Sequence, residues 1–508
     1  IIPFLVLYLS SIPTITSLYT SEMPAAREAS RRSYEDAVNL LNSTQSGHKA
    51  LEERRRQGQK LSGGALKQME YWLGCVGYTP RDLNRMNIVH VAGTKGKGTT
   101  CAYTNSILQS FHDDSNVPRK IGLYTSPHLV SVRERIRINS EPISEELFTQ
   151  YFFEVRDALS AKQELSYEEK PTYFRFLTLM SFHVFMQENV DAAIYEVGVG
   201  GELDSTNIID QPVAVAITTL GIDHVQTLGN TIEQIAWHKA GIMKRGCPAF
   251  TVGQDAAAMK VLSDRAIEKG ATLMKIDPVP ALGEIRIYPD ESFQKGNASL
   301  AIHLAGAILE RWGAPISWGG DYLPSQVKRG LETMVWRGRC ERKITGNIRW
   351  HLDGAHNEQS LQVACRWFDT ATRNSNLPCA LVFNQQSTRD AHALLKVVHE
   401  SLYQTNKTRL RYVVFCTNVT FKTRQSKSDL TNFNVNPAEL KTLQAQKEMA
   451  ETWRCLDPVA RVLVVPTIED STDFMQNIGG GGSEMNVFVT GSFYLVGGLI
   501  SLLENAIS

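Results

Sequence analysis

A glycine-rich turn with a well-placed lysine is the part of this sequence whose residue types point most clearly to chemistry. It reads Gly93-Thr94-Lys95-Gly96-Lys97-Gly98-Thr99. An apolar run precedes the turn and a helical pattern follows it. The glycines let backbone N–H groups close on phosphate oxygens, while the helix N-terminus and Lys97 supply positive charge. An ordinary P-loop has four residues between its glycines and Ser or Thr directly after the lysine. We therefore predict an ATP-binding turn of different spacing; the alternative is a plain surface turn.

Polar residues also follow three further apolar runs that we expect to be strands. They are Ser126 in Tyr-Thr-Ser-Pro-His-Leu, Glu196 in the run 192–197, and His224 in Gly-Ile-Asp-His. In open α/β sheets, ligands bind beyond the carboxyl ends of the strands. A buried carboxylate needs a partner, and Mg²⁺ on ATP phosphates would be one for Glu196. The competing interpretations are an ordinary Ser-Pro turn, a capping or salt-bridged glutamate, and a structural histidine.

Two further candidates lie on a helix and after a strand. Lys239 lies on the helical stretch 231–239, where a lysine on an apolar face is usually a snorkelling surface residue. Asp353, in Leu-Asp-Gly-Ala-His-Asn, follows a strand-like run. It could hold a ribose hydroxyl, as in dinucleotide folds, or simply cap the next helix.

Length and composition limit the possible classes of protein. The chain has 508 residues, which favours two or three domains. Its 53 basic and 53 acidic residues cancel and form no basic stripe, so we expect no nucleic-acid partner. The eight cysteines show no Cys-x-x-Cys pair, which indicates a reduced interior without a zinc site. No later stretch is long and apolar enough for a transmembrane segment.

The first 33 residues differ from the rest. Residues 1–9 are apolar but too short to span a membrane as a helix. Arg27, Arg31 and Arg32 follow, so we treat 1–33 as an N-terminal extension and a candidate organelle presequence.

Strand-like and helical patterns alternate in two blocks. The strands of the first block are expected at 88–92, 121–124, 192–197, 213–219, 249–252 and 272–276. Those of the second are expected at 348–352, 379–383, 412–416, 461–465 and 487–490, with one of its helices over 437–452. Such alternation predicts an α/β fold with a mostly parallel sheet covered by helices in each block. We place one domain at 34–334, a second at 335–508 and the hinge at 334–339. The stretch 425–436 is expected to be a polar surface insertion and 479–483 a flexible connector.

Taken together, the motifs resemble those of folylpolyglutamate synthase, a Mur-ligase-like family of ATP-dependent amide ligases. The resemblance runs from about Tyr34 to the end, and the segment 34–46 is similar to the eukaryotic, fungal form. The motifs occur in the family's order and are GTKGKGT, TSPHL, EVGVGGELDSTN, GIDH, HKAGI, WRGR, LDGAHN and VTGS. Lys95 and Arg337 stand where the family often has Asn and Pro, and neither departure removes a charge that the reaction needs.

The resemblance implies a P-loop-type N-terminal domain, a Rossmann-like C-terminal domain and ATP in the cleft between them. The loop from Gly93 to Thr99, with Arg339 and Asp353, would bind ATP. Ser126, Glu196 and His224 would bind Mg²⁺. Lys239 matches a lysine that becomes carbamylated and then serves a second Mg²⁺; a monovalent cation is a further expected cofactor. Arg389 would bind the incoming glutamate through its fork of N–H donors, and His356 would assist. Lys97, Lys239 and His356 are the candidate catalytic residues.

The implied activity is ATP-dependent addition of L-glutamate to the γ-carboxylate of tetrahydrofolate polyglutamates through an acyl phosphate. The rival activity within the family is that of dihydrofolate synthase, which joins glutamate to dihydropteroate. Two hypotheses without ligase activity compete with both: a P-loop switch or motor that only binds nucleotide, and an inactive paralogue. The resemblance also implies a monomer located in the cytoplasm and in mitochondria, in the matrix or at the inner membrane.

Overall fold

The computed structural model describes residues 32–45, 64–162, 170–313, 322–386, 390–405, 408–423, 428–431, 437–479 and 484–505. The predicted extension 1–33 lies outside these residues except for its last two. Arg389, residues 480–483 of the predicted connector and most of the predicted insertion 425–436 also lie outside them. Within the described part of the chain, no helix combines the length and apolar character needed to cross a bilayer.

The first sheet has eight strands. In chain order they are β1 (Val89–Ala92), β2 (Ile121–Tyr124), β3 (Ile136–Ile138), β4 (Glu141–Pro142), β5 (Ala192–Glu196), β6 (Ala214–Ile217), β7 (Pro248–Thr251) and β8 (Thr272–Lys275). Their order across the sheet is β4-β3-β2-β5-β1-β6-β7-β8. Among these described strands, the antiparallel pairs are β2–β3 and β3–β4, and the other pairs are parallel. The predicted mostly parallel sheet is therefore confirmed. The sequence pattern did not predict β3 and β4 because they are very short.

Helices cover both faces of this sheet. They are α1 (Tyr34–Asn42), α2 (Gly64–Cys75), α3 (Lys97–Ser115), α4 (Glu145–Ser160), α5 (Tyr173–Gln187), α6 (Val225–Leu228), α7 (Ile232–Ala240), α8 (Ala256–Lys269), α9 (Ser292–Leu309) and α10 (Ser325–Thr333). Every residue of the central strands β1 and β5 is buried, which explains why they are apolar apart from His90 and Glu196. On one face, α10 packs tightly on α3: a Cβ at Gly330 would lie 2.7 Å from the Cα of Ile107.

The second sheet has six strands, β9 (Glu341–Thr345), β10 (Ile348–Leu352), β11 (Cys379–Phe383), β12 (Leu410–Phe415), β13 (Arg461–Val464) and β14 (Met485–Thr490). Their order is β13-β12-β11-β14-β10-β9. The sequence pattern predicted the five parallel strands but not β9, which pairs antiparallel with β10 at the edge. The strand reads Glu-Arg-Lys-Ile-Thr, and such charged residues are typical of an exposed edge strand rather than a buried one.

The helices of the second sheet are α11 (Glu358–Thr372), α12 (Ala391–His399), α13 (Pro437–Thr442), α14 (Gln444–Leu456), α15 (Ile468–Gly479) and α16 (Phe493–Asn505). The sequence predicted one helix over 437–452. That prediction was wrong, because Leu443 adopts a left-handed conformation with φ 54° and separates α13 from α14. A short 3₁₀ turn, Ser428–Leu430, precedes α13. The predicted boundary at 334/335 falls between α10 and β9 and stays a prediction.

Candidate active site

A cleft of about 730 Å³ is lined by residues of both sheets. The carboxyl ends of β1, β2 and β5 open into it from one side, and the turns after β10 and β14 open into it from the other. Parallel strands end at the same edge of a sheet, so motifs far apart in the sequence meet here. The cleft is the shared location of nearly every candidate site residue that the structure describes.

The glycine-rich turn joins β1 to α3 and depends on its glycines. Gly93 has φ 148°, and a Cβ there would lie 1.8 Å from Oγ1 of Thr218. Gly96 has φ 86°, and a Cβ there would lie 2.3 Å from Oδ1 of Asn297. The N–H groups of Thr94 and Lys95 both donate to the carbonyl of Thr219, which folds the turn against β6. The first N–H groups of a helix have no partner inside the helix, so this end of α3 can receive an anion.

Lys97, Gly98 and Thr99 form the first residues of α3 and line the cleft. The Lys97 side chain forms no hydrogen bond or ion pair with any residue that the structure describes. Lys95 is different, because it forms an ion pair of 3.5 Å with Asp223. Oγ1 of Thr94 donates to the carbonyl of Gly221. The turn is therefore fixed to the Gly-Ile-Asp-His segment, and Lys97 is left to face the cleft.

Glu196 ends β5 and is buried. The backbone N–H of Ser126 donates to Oε2 of Glu196 at 2.9 Å. Burial raises the pKa of this carboxyl, whereas the nearby charge of Lys97 and the Ser126 N–H act in the opposite direction. A buried carboxylate at the cleft wall is a natural cation ligand. The structure thus favours a site facing the cleft over the capping alternative.

Ser126 and His224 line the same cleft as Glu196. His224 is exposed and begins α6 with φ 51°, and its backbone N–H donates to Asp223. In the described ranges, no three His, Cys, Asp or Glu side chains group as they would around a metal ion. The candidate ligands are thus Glu196, His224 and the Ser126 hydroxyl, which line one cleft. A cation such as Mg²⁺ held there would take its remaining ligands from water or phosphate oxygens.

Lys239 is not the snorkelling surface residue that its helix alone suggests. Only 3% of it is exposed, and its Nζ donates to the carbonyl of Gly93 at 2.8 Å. Burial lowers its pKa well below the usual range, and the charge of Lys97 adds to this effect. A lowered pKa favours the neutral amine, which is the form that reacts with carbon dioxide.

Asp353 follows β10 and is also buried. Its two oxygens accept from the N–H groups of Cys340, at 2.9 Å, and Ala355, at 2.8 Å. Burial raises its pKa, and Arg339 opposes this effect. The helix-capping alternative is wrong, because Asn357 is the N-cap of α11 and forms the capping box with Ser360. The guanidinium of Arg339 stacks on Phe493, 4.2 Å from the ring centre.

His356 lies on the second-sheet side of the cleft. Its Nδ1 bonds to the carbonyl of Gly354 at 2.8 Å, and a carbonyl only accepts, so Nδ1 carries the proton. The amide of Gln385 donates to the His356 carbonyl, at 3.3 Å, and to the Gly491 carbonyl, at 3.2 Å. Arg389 lies outside the described residues, four positions beyond Gln385.

Several residues of the cleft were not predicted from the sequence. Arg135, Arg137, Phe174, Asn297 and Gln385 all line it. A signal for the arginines was present in the sequence, where Arg133, Arg135 and Arg137 alternate six to ten residues after Pro127. Nothing in the local sequence marks Phe174 or Asn297, which come from helices on opposite faces of the sheet.

Known proteins resemble this chain along most of its length. Residues 337–502 match a family model described as "Dihydrofolate synthetase, C-terminal domain". The folylpolyglutamate synthase of Neurospora crassa is 46% identical over 504 residues, covering 97% of this chain and 96% of that protein. The probable folylpolyglutamate synthase of Schizosaccharomyces pombe is 42% identical, covering 94% and 95%.

Solved structures share the fold. A Mycobacterium tuberculosis folylpolyglutamate synthase, solved with ADP and AMPPCP, superposes with a TM-score of 0.66 at 23% identity, covering 86% of this chain and 95% of that one. At that identity the match supports the two-domain α/β architecture alone. The relatives at 42–46% identity, together with the loop, the strand-end carboxylate and the buried lysine, show that the chain belongs to the folylpolyglutamate synthase family.

Proposed function

We propose that this protein is a tetrahydrofolate:L-glutamate γ-ligase that uses ATP and forms ADP. The γ-carboxylate of the acceptor's terminal glutamate attacks the γ-phosphorus of ATP, which gives an acyl phosphate and releases ADP. The amine of L-glutamate, after losing a proton, attacks the acyl carbon and releases phosphate. One γ-linked amide is formed for each ATP consumed.

The arrangement of Lys97 and Glu196 around the helix N-terminus at Gly96 carries this proposal. An attacking carboxylate and the phosphates of ATP repel each other, so the site must neutralise charge on the transferring group. Lys97 faces the cleft and the first N–H groups of α3 point the same way, which suits a triphosphate. Arg339 and Asp353 would contact the nucleotide from the second sheet.

Magnesium fits the residues on the cleft wall. Glu196 offers a buried carboxylate whose raised pKa indicates that a cation would stabilise its ionised form, and Ser126 and His224 line the cleft beside it. Bound there, Mg²⁺ would supply positive charge to the phosphate oxygens. The burial of Lys239, which lowers its pKa and so favours the neutral amine, suits carbamylation, which would turn an amine into an anionic group beside the loop and provide for a second ion.

Water must be kept from the acyl phosphate, because such an anhydride hydrolyses readily. The cleft lies between two sheets, and closure of one domain on the other would exclude solvent. Glutamate would enter from the second sheet, where Arg389 is the candidate for its α-carboxylate and His356 for a supporting contact. A guanidinium fork matches a carboxylate in geometry and charge.

Dihydrofolate synthase is the second candidate, and the family description matched by residues 337–502 is the observation that favours it. The full-length relatives instead carry the name folylpolyglutamate synthase. The deciding measurement is incorporation of labelled glutamate with ATP and Mg²⁺ on tetrahydrofolate and on dihydropteroate, with Lys97→Ala as the control. Stepwise lengthening on tetrahydrofolate supports the proposal. A single addition to dihydropteroate replaces it with the rival, and no incorporation on either acceptor rejects both.

A further inference from the structure

Arg135 lies in the cleft with only part of its guanidinium engaged. The residue is 8% exposed and lines the cleft near Glu196. Its Nε donates to Nδ1 of His128 at 2.9 Å, and the guanidinium stacks over the ring of Tyr173 at 5.4 Å. Its two terminal nitrogens form no hydrogen bond with the residues that the structure describes. These nitrogens are not among the fully buried, unpaired side-chain atoms of the described residues, so they open onto the cleft, where a guanidinium fork can bind an oxyanion.

His128 fixes the direction in which Arg135 points. A guanidinium can only donate, so Nδ1 of His128 must be the bare acceptor. The proton of the neutral imidazole then lies on Nε2, which donates to the backbone carbonyl of Asp429 at 2.9 Å. The geometry therefore selects one tautomer of His128. Through that tautomer, the position of Asp429 decides where the Arg135 guanidinium is held.

Asp429 comes from the second half of the chain and is anchored on the first domain. It lies on the short turn Ser428–Leu430, between β12 and α13. Its Oδ1 accepts from the hydroxyl of Tyr34 at 2.7 Å and from the N–H of Val132 at 2.8 Å. The hydroxyl of Ser131 lies 3.1 Å from the same oxygen. These bonds hold the turn against the segment that carries His128 and Arg135.

The turn has a second anchor at the C-terminal end of α1 and just beyond it. Nδ2 of Asn42 donates to the carbonyl of Ser428 at 2.7 Å, and Nε2 of Gln45 donates to that of Thr431 at 3.2 Å. The contacts of this turn join residues up to 395 positions apart. These directed hydrogen bonds together hold the turn, and with it the backbone carbonyl of Asp429, in one position.

The remaining cations of the cleft that bear on this question already have partners or roles. Lys95 pairs with Asp223, and Arg337 pairs with Glu504 at 2.6 Å. Arg137 donates to the backbone carbonyls of Glu134, at 3.1 Å, and Ser140, at 3.2 Å, and Arg339 is assigned to the nucleotide. Lys97 lies at the phosphate loop. Arg135 is therefore the buried cation left to bind an anionic group of the acceptor rather than of the nucleotide. The reacting γ-carboxylate must keep a lone pair free for phosphorus, so a guanidinium fork suits the α-carboxylate beside it.

We propose that Arg135, held in place by His128 and Asp429, binds the α-carboxylate of the terminal glutamate on the folate acceptor. This inference rests on the proposed function and adds to it a determinant of specificity for the folate acceptor. Dihydropteroate ends in an aromatic carboxylate and has no α-carboxylate to offer. A carboxylate-binding site at Arg135 thus favours folate acceptors that already carry glutamate.

The test pairs a change in the protein with a change in the acceptor. Tetrahydrofolate monoglutamate is compared with its α-carboxamide, whose γ-carboxylate is intact, on the wild type and on Arg135→Gln. On the wild type, the amide is expected to raise KM for the acceptor about tenfold or more, as loss of a charge-assisted hydrogen bond does. On Arg135→Gln both acceptors should share the same high KM, with KM for ATP little changed. If Arg135→Gln still prefers the carboxylate by the wild-type ratio, the proposal is wrong.

The positioning of Arg135 by His128 and Asp429 is tested by variants at those two residues. Gln at position 128 can accept from Arg135 and donate to Asp429, whereas Leu can do neither. We expect His128→Leu and Asp429→Ala to lower the preference for the α-carboxylate, and His128→Gln to keep most of it. Lys422→Ala is the matched control, because this exposed residue lies on the same connection between β12 and α13 and pairs with Asp470 and Asp473 instead. Equal preference in His128→Leu and in the wild type would remove His128 from the mechanism.

A binding measurement separates this inference from the proposed function. Quenching of tryptophan fluorescence by the two acceptors, in the presence of AMPPCP and Mg²⁺, reports affinity without turnover. Thermal unfolding of each variant shows whether it is folded. Failure to incorporate glutamate would reject the proposed function. Equal affinity of the folded wild type for both acceptors would instead reject the role of Arg135, even in an active ligase.

Discussion

The side-chain nitrogen of Lys239 lies 2.8 Å from the carbonyl oxygen of Gly93. This contact joins α7 to the first glycine of the phosphate loop, between residues 146 positions apart. The lysine is buried beside two further cations, Lys97 and Lys95, both of which lower its pKa after the larger effect of burial. Burial and these two charges therefore favour the neutral form of the amine, although Asp223 and Asp204 act in the opposite direction.

Lys239 is predicted to carry a carbamate that activity needs. Lys239→Arg keeps a cation and cannot form the carbamate, so we expect kcat to fall by about 10² or more while ATP still binds. Native mass spectrometry in bicarbonate buffer should find the mass of one added CO₂ on the wild type and none on the variant. Full activity in Lys239→Arg would contradict the prediction.

Glu196→Gln is predicted to lower activity without lowering stability. The amide is easier to bury than the carboxylate and can still accept from the Ser126 N–H. We therefore expect an unfolding midpoint no lower than that of the wild type, and a loss of activity of about 10² or more that added Mg²⁺ does not recover. Calorimetry and a Mg²⁺ titration of glutamate incorporation measure the two effects. Glu70→Gln, on the exposed side of α2, is the control.

Gly93→Ala is predicted to weaken ATP binding. An added Cβ would lie 1.8 Å from Oγ1 of Thr218 at a φ of 148°, so the loop must move away from β6. Affinity for ATP should fall at least about tenfold, since the N–H groups no longer converge on the phosphates. Gly74→Ala is the matched control, because nothing lies within 4 Å of its added methyl group. Replacing this helical glycine should raise the free energy of unfolding by about 0.5–1 kcal/mol.

His90 is predicted to weaken the fold in acid. It is buried on β1, and burial lowers its pKa to about 3, with a smaller effect of Lys244. The unfolded chain has a histidine pKa of about 6.5, so between these values the unfolded state binds the extra proton. The free energy of unfolding should therefore fall as pH drops below about 6.5, by up to about 1.4 kcal/mol per pH unit from this histidine.

Urea unfolding at several pH values measures this slope. His90→Gln has no titrating group and keeps a donor for Oγ1 of Thr206, which His90 Nε2 contacts at 2.8 Å. In His90→Gln, the free energy of unfolding should change less steeply with pH than in the wild type, by the contribution of one histidine. The same slope in both proteins would show that His90 does not titrate in this range.

The sequence by itself determined the parts of the protein that depend on local physical chemistry. Apolar runs and glycine turns predicted the parallel strands, and the position of Glu196 and Asp353 after such runs predicted their place at the strand ends. Parallel topology then brings those ends to one edge of each sheet, so Ser126, Glu196 and the loop share a cleft as expected. The sequence did not predict the short strands β3 and β4, the polar edge strand β9 or the break between α13 and α14 at Leu443.

Only the tertiary structure decided which distant groups touch. Lys239 on an isolated helix looks like a surface lysine, and only packing of α7 against the loop buries it. The proposed role of Arg135 depends on His128, which contacts Asp429, a residue 301 positions further along the chain. Periodicity and backbone sterics act over a few residues, whereas such contacts depend on how whole elements pack, and no local pattern records that.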